Sequence, residues 1–533
     1  MPSWGWPRSS PWRADTNKPI SEREDVSPPF LFEWHTRLLE LSNRIRHKDF
    51  TLWGDADTPE LTNRLGWVDL PATMEPRLGE LAEIRDRVID RGTDHVIVLG
   101  MGGSSLAPEV FAETFGVATE HPRLRVLDST HPDQVRHLAE SIDLRRSVFV
   151  VASKSGTTLE TLSGFRFFWE ATGEDGSQFI AITDPGTPLE DLARERGFLA
   201  AVLAPPEVGG RFSALTPFGL LPAAIIGVDP ARLLEAGAAA DWEGAVEMGQ
   251  EWAKHAGEGR DKLTFLTSPA IASFPTWLEQ LVAESLGKAG KGIVPIASEP
   301  ALDRYGDDRL FVQYRLEGQP VAAVPPGQQA LRRELTDRHG LATEMMAAEI
   351  ATATAGVGLG VHPFNQPDVE LAKERARQAL GAEPARVDLV DIFSPTLADQ
   401  IEALLMTIGS KDYFALQAFL PAQPETDSIL AAIRHRVGNR TGNATTTGYG
   451  PRFLHSTGQL HKGGPNTGAF IQLVDSPMTD LAIPETEESF GRLIAAQALG
   501  DYQALRERGR RVLRIDLGPN RRRGLQTVLD AIG

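Results

Sequence analysis

Four short runs rich in β-branched and aromatic residues, each followed by a helical pattern, restrict this chain to an α/β fold built on a parallel sheet. The runs are His95-Val96-Ile97-Val98-Leu99, Leu124-Arg125-Val126-Leu127-Asp128-Ser129, Ser147-Val148-Phe149-Val150-Val151 and Gln178-Phe179-Ile180-Ala181-Ile182-Thr183. Strands alternating with helices are covered on both faces. Such sheets bind ligands outside the carboxyl ends of their strands. Two turns fall at that edge, Gly100-Met101-Gly102-Gly103-Ser104-Ser105 and Ser153-Lys154-Ser155-Gly156-Thr157-Thr158.

The second turn leads into Leu159, Leu162, Phe165 and Trp169, whose spacing predicts an amphipathic helix. Hydroxyls, a glycine and a lysine at a helix start are the makings of an oxyanion cradle. Free backbone N–H groups and the helix dipole both favour negative charge there. Serine, threonine and glycine also cap helices without binding anything. Recurrence of anion-binding chemistry elsewhere in the chain is what tips the reading toward phosphate. The first turn invites a dinucleotide reading, with Asp128 at a plausible distance for a ribose-binding acid. However, Ser105 stands where the third glycine of that pattern is needed for close helix packing.

The 533 residues suffice for two or three domains. With 72 acidic and 54 basic residues the net charge is −18, which argues against nucleic-acid or anionic-membrane partners. An anionic substrate must then be caught by a local cluster of donors, since the overall field opposes it. The chain has no cysteine, so disulfides and thiolate metal sites are excluded and a cytoplasmic setting is expected. No apolar run is long enough to span a bilayer. Residues 1–29 contain prolines and tryptophans without an apolar signal core, so an extended arm is expected, followed by helices.

Further along, Gly209-Gly210-Arg211-Phe212-Ser213 brings bare backbone and a permanent cation together. A helix over 276–287 carries Trp277, Leu278, Leu281 and Val282 as its apolar stripe. Glu284 lies at the edge of that stripe, with Gln280 one turn earlier. A carboxylate held against apolar groups suits a general base. The competing reading is a surface pair with Lys288, worth only about 0.3–0.5 kcal/mol. His362-Pro363-Phe364-Asn365-Gln366-Pro367 opens a helix that carries Lys373. A strand over 412–420 and a helix around 429–435 precede a glycine-rich loop over 448–466 that contains His455, His461 and Lys462. Two histidines without an acidic or cysteine partner nearby make a poor metal site.

In combination these motifs resemble phosphoglucose isomerase, in the form found fused behind transaldolase in bifunctional enzymes. The resemblance runs from about Arg77 to the C-terminus, with no recognisable transaldolase half. It implies two sugar isomerase (SIS) domains of flavodoxin-like type. The first spans 77–245 and the second, with a C-terminal extension, 246–533, behind an arm and helices over 1–76. It implies interconversion of glucose 6-phosphate and fructose 6-phosphate through a cis-enediolate, without metal or cofactor, and a possible homodimer.

Gly103, Ser104, Ser153, Lys154, Ser155 and Thr158 then look like the phosphate site. Arg211 looks like the cation beside the enediolate, Glu284 the base, Gln280 its substrate-contacting neighbour, and Gln366 and Lys373 the Phe-Asn-Gln…Val-Glu-Leu-x-Lys signature. One departure stands out. The family's ring-opening histidine lies between the base and that signature, where this chain has none. The similar segment Leu454-His455-Ser456-Thr457-Gly458-Gln459 comes afterwards, so His455 or His461 is expected in that role, with Asp307 or Asp308 as the fallback. The alternatives are a SIS-domain sensor that binds sugar phosphate without turnover, and an NAD-binding dehydrogenase.

Overall fold

The computed structural model describes residues 38–380, 387–477 and 479–533. The expected arm over residues 1–29 lies outside them. Three sheets organise the rest, and within each every neighbouring pair of strands is parallel. The first contains β1 (His95–Gly100), β2 (Arg123–Leu127), β3 (Ser147–Ala152), β4 (Phe179–Thr183) and β5 (Ala200–Leu203), in the order β2-β1-β3-β4-β5. This is the flavodoxin-like order, and it reverses direction between β1 and β3. The two turns singled out above leave these two neighbouring strands at their carboxyl ends.

The side chains of this sheet divide by parity, as a pleated strand demands. Val96, Val98, Val148, Val150, Ile180 and Ile182 enter one core. Ile97, Leu99, Phe149, Val151, Phe179 and Ala181 enter the core on the opposite face. Both faces are dry, which explains the nearly uninterrupted apolar runs of β1, β3 and β4.

Residues 246–533 hold two sheets. A four-stranded one is made of β6 (Lys262–Thr267), β7 (Val294–Ile296), β8 (Arg309–Leu316) and β9 (Gln329–Leu335), ordered β7-β6-β8-β9. A five-stranded one is made of β10 (Leu389–Asp391), β11 (Tyr413–Phe419), β12 (Ala444–Tyr449), β13 (Gly468–Val474) and β14 (Arg511–Asp516), ordered β10-β14-β13-β11-β12. Buried Arg434 stitches the facing edges of β7 and β12. It donates to the carbonyls of Ala297 at 3.1 Å, Ser298 at 3.0 Å and Thr445 at 2.6 Å. Leu263, Phe265, Leu310 and Val312 of the four-stranded sheet share the large core with the first sheet. A division at residue 245 would cut through the helix Trp242–Gly257, whose Ala245, Val246 and Met248 lie in that same core.

What places the site is a close approach of bare backbone. A Cβ on Gly103 would lie 2.0 Å from the carbonyl oxygen of Gly210. A Cβ on Gly102, whose φ is +53°, would meet Gln280 Nε2 and the His455 carbonyl oxygen, each at 2.6 Å. The turn after β1 therefore touches the Arg211 turn, the Glu284 helix and the histidine segment at once. Gly103→Ala must push backbone apart, at a cost of about 1–3 kcal/mol. Its activity should fall about a hundredfold, since misplacement of reacting groups by about 1 Å has that effect. Thermal unfolding and steady-state rates measured on one preparation check this, and an unchanged rate would show that the contact does not set the site.

Candidate active site

A cavity of about 490 Å³ opens at the carboxyl ends of β1 and β3. Met101, Gly102, Gly103 and Ser104 line it from the first turn, and Lys154, Ser155, Thr157 and Thr158 from the second. The helix Leu159–Ala171 begins at the second turn with Thr158 as its N-cap residue, yet no side chain caps it. The Thr158 hydroxyl instead meets Ser153 Oγ at 2.8 Å. The helix's first N–H groups are thus left for a ligand, which is what separates an anion cradle from an ordinary cap. Gly156, with φ +67°, makes the bend.

Two members of the expected phosphate group are engaged with the protein itself. Ser153 is buried and braces Thr158 from beneath, outside the cavity wall. Lys154 lines the cavity, but its ammonium is spent on Asp184 at 2.5 Å and on the Pro206 carbonyl at 3.2 Å. Burial pushes the Lys154 ammonium below and the Asp184 carboxyl above their ordinary values, against their mutual attraction.

Glu284 and Gln280 sit on the helix Phe274–Leu286, buried against the opposite wall. Gln280 Nε2 donates to Glu284 Oε2 at 3.1 Å and to the His455 carbonyl at 2.8 Å. Glu284 Oε1 is 3.7 Å from Arg211 Nη1, and both side chains are less than a tenth exposed. The guanidinium is locked from behind. Nε donates to Ser285 Oγ at 2.8 Å, and Nη2 donates to the carbonyls of Pro363 at 2.5 Å and Asn365 at 3.0 Å. Burial lowers its pKa below the usual arginine value, while Glu284 opposes that.

The surface pair of Glu284 with Lys288 is not what forms. The helix ends at Leu286, and Lys288 turns inward to the carbonyls of His362 and Asn365. The segment 362–366 is thereby tied to both Arg211 and Lys288, which brings Gln366 and, from the helix Val369–Leu380, Lys373 to the cavity.

Of the two loop histidines only His455 reaches the cavity. Its Nε2 is 3.1 Å from Glu160 Oε1. A carboxylate can only accept, so the proton sits on Nε2 and Nδ1 is left for a ligand. Burial pushes the Glu160 carboxyl up, and the charge and hydrogen bond of His455, with Lys373 beyond, more than offset this and hold it below its ordinary value. His461 is fully enclosed among Tyr413, Phe453 and Phe470, so it is a core residue. Burial drives its imidazole far below the ordinary value, and Lys462 and Arg510 add to the effect.

The fallback acids are also displaced. Asp308 is buried 3.4 Å from Lys262, at the amino ends of β6 and β8, and neither it nor Asp307 lines the cavity. Asp128, the candidate ribose acid, is 3.0 Å from Arg452 Nη1. Burial raises its carboxyl to about 6 against the pull of Arg452. That leaves the dinucleotide reading without its acid. Glu160 and Gln497, which line the cavity, belong to none of the sequence motifs.

Residues 88–250 match the family model for phosphoglucose isomerase. The glucose-6-phosphate isomerase of Rubrobacter xylanophilus is 30% identical over 414 residues, spanning 64% of this chain and 94% of that protein. The chain belongs to the glucose-6-phosphate isomerase family. A second member of the family, from Thermus thermophilus, is 33% identical over 280 residues, spanning 49% of this chain and 66% of that one. Among solved structures, a hypothetical protein of Thermus thermophilus gives a TM-score of 0.54 at 26% identity, covering 67% of this chain and 98% of the other. The glucose-6-phosphate isomerase of Chlamydia trachomatis shares the fold, with a TM-score of 0.51 at 18% identity and coverage of 67% and 86%. Among the described residues no helix is long and apolar enough to cross a membrane, and no cluster of metal-binding side chains occurs.

The cradle makes a direct prediction. Ser155→Ala combined with Thr158→Ala should raise KM for a sugar phosphate by about tenfold or more for each hydrogen bond to the anion, at roughly 1.5–3 kcal/mol each. Competition by inorganic phosphate should weaken in step. Unchanged phosphate inhibition would place the anion elsewhere.

Proposed function

We propose that the protein interconverts glucose 6-phosphate and fructose 6-phosphate by proton transfer through a cis-enediolate. The observation that carries this reading is Glu284 Oε1 held 3.7 Å from a guanidinium that is itself fixed by three hydrogen bonds, opposite an uncapped helix start. The phosphate sits on Ser104, Ser155 and Thr158 and on the turn N–H groups, so that binding energy orients the reacting carbons. His455, through Nδ1, and Lys373 move the protons that open the sugar ring. Glu284 takes the proton from C2 of the aldose and delivers it to C1, forming the ketose. Arg211 faces the oxyanion as its charge develops, where a preorganised donor counts most. Gln280 and Gln366 hold the sugar hydroxyls. Aldose and ketose are isomers, so the reaction balances without an electron acceptor.

A sensor that binds sugar phosphate without turnover would keep the hydroxyl cradle. It would have no use for a buried carboxylate beside a locked arginine. The two five-stranded sheets are read as the cores of the two SIS halves, within 77–245 and 246–533. Resemblance supports a homodimer, a cytoplasmic setting, and kinship with the form fused behind transaldolase.

The test is a coupled assay of the purified chain on fructose 6-phosphate. Glucose 6-phosphate should form, at a rate that chelator does not change. NAD and NADP should show no saturable binding by calorimetry at millimolar concentration. Absence of turnover alongside tight sugar phosphate binding would favour the sensor.

A further inference from the structure

Glu160 Oε1 serves two donors. His455 Nε2 is 3.1 Å away and Gln497 Nε2 is 2.8 Å away. Gln497 projects from the helix Phe490–Glu507, is only 4% exposed, and reaches the cavity wall beside Leu493. Its amide oxygen lies 2.6 Å from Thr130 Oγ1, and Thr130 is fully buried in the turn that follows β2. The carboxylate accepts and cannot donate, so the NH₂ group must face Glu160 and the amide oxygen must face Thr130, whose hydroxyl donates. The line Thr130 → Gln497 → Glu160 ← His455 therefore has one consistent donor assignment, converging on the carboxylate. It joins the connection after β2 and the helix Leu159–Ala171 to the helix Phe490–Glu507 and the segment Arg452–His455.

We propose that Gln497, oriented by Thr130, is a positioning residue for His455. This rests on the reading of His455 as the ring-opening group. A neutral amide on Oε1 holds the Glu160 carboxylate in one plane and leaves it charged. The carboxylate then holds the imidazole in the tautomer that turns Nδ1 toward the sugar. The neighbouring His131 anchors the same turn. Its Nε2 meets Asp475 Oδ1 at 3.0 Å, just past β13, so Thr130 is held at a fixed point.

The experiment compares Gln497→Leu and the isosteric Thr130→Val with Thr130→Ser and His455→Ala. Each is assayed on fructose 6-phosphate, which must be opened, and on 5-deoxyfructose 6-phosphate, which lacks the hydroxyl that closes the ring. Gln497→Leu should lose about ten- to a hundredfold in kcat on the cyclic substrate, the loss expected for one hydrogen bond to a charged group, and Thr130→Val, which removes a bond between neutral groups, about two- to tenfold. They should keep KM, and should lose little on the open-chain substrate. Their acid limb of kcat/KM against pH should move, and Thr130→Ser should restore both rate and profile. Equal losses on both substrates with an unmoved pH profile would reduce Gln497 to a packing role and overturn the proposal. So would a ring-specific loss in His455→Ala with none in Gln497→Leu. Equal losses on both substrates in His455→Ala would instead overturn the His455 reading, and the role of Gln497 with it.

Discussion

The site depends on two positions where no side chain can be tolerated. Gly102 and Gly103 let the turn after β1 lie against the Gly210 carbonyl, the Gln280 amide and the His455 carbonyl. Each of those neighbours precedes or carries a group that faces the cavity. Arg211 follows Gly210, Gln280 shares a helix with Glu284, and His455 belongs to the C-terminal segment. The reacting groups come from parts of the chain far apart in sequence, so their mutual distances are set by how closely these backbones approach. Arg452 adds a second constraint on the histidine segment. It engages Glu109 on the helix after the first turn and Asp128 at the end of β2.

Charge in the cavity is arranged against the molecule's own field. The net charge of −18 repels a sugar phosphate at long range, yet the cavity wall carries Arg64, Arg211, Lys373 and Arg377. The carboxylates there are engaged. Glu60 faces Arg64 at 3.2 Å, Glu160 holds His455, and Glu284 faces Arg211. Salt screens the distant field within about 8–10 Å, and screens the exposed Glu60–Arg64 pair with it, but leaves the buried Glu284–Arg211 pair largely intact. On the proposed reading, capture of the anion is local, by turn N–H groups and hydroxyls, while the pairs hold the reacting groups.

Much of this was legible in the sequence. The four runs became β1 to β4, and the glycine–hydroxyl turns identified the edge where the cavity opens. Glu284 could be suspected from its place beside an apolar stripe, and Arg211 from the two bare residues before it. What could not be read shares one cause, dependence on long-range contacts. β5, with the sequence Ala-Ala-Val-Leu, has a single β-branched residue and forms because β4 offers it an edge. Ser153 and Thr158 look equivalent in a motif, and only the path of the turn between β3 and the next helix decides which faces inward. His455 and His461 lie in two separate short helical segments, Arg452–His455 and Gly458–Gly463, and packing of Phe453 and Phe470 around the latter residue sends it to the core. Glu160 is 295 residues from His455 and 337 from Gln497, so no local pattern announces either bond.

The central claim is that one carboxylate, Glu284, carries the proton between C1 and C2. Incubating fructose 6-phosphate with the parent and with Glu284→Gln in D₂O, and following the hexose 6-phosphates by proton NMR, tests it most directly. The parent should wash deuterium into the reacting carbons as it isomerises. The glutamine variant keeps the shape and still binds, but it should lose exchange and turnover together by about 10²–10⁴, the usual effect of removing a general base. Exchange at near-parental rate in the variant would contradict the account and send the search for the base elsewhere in the cavity.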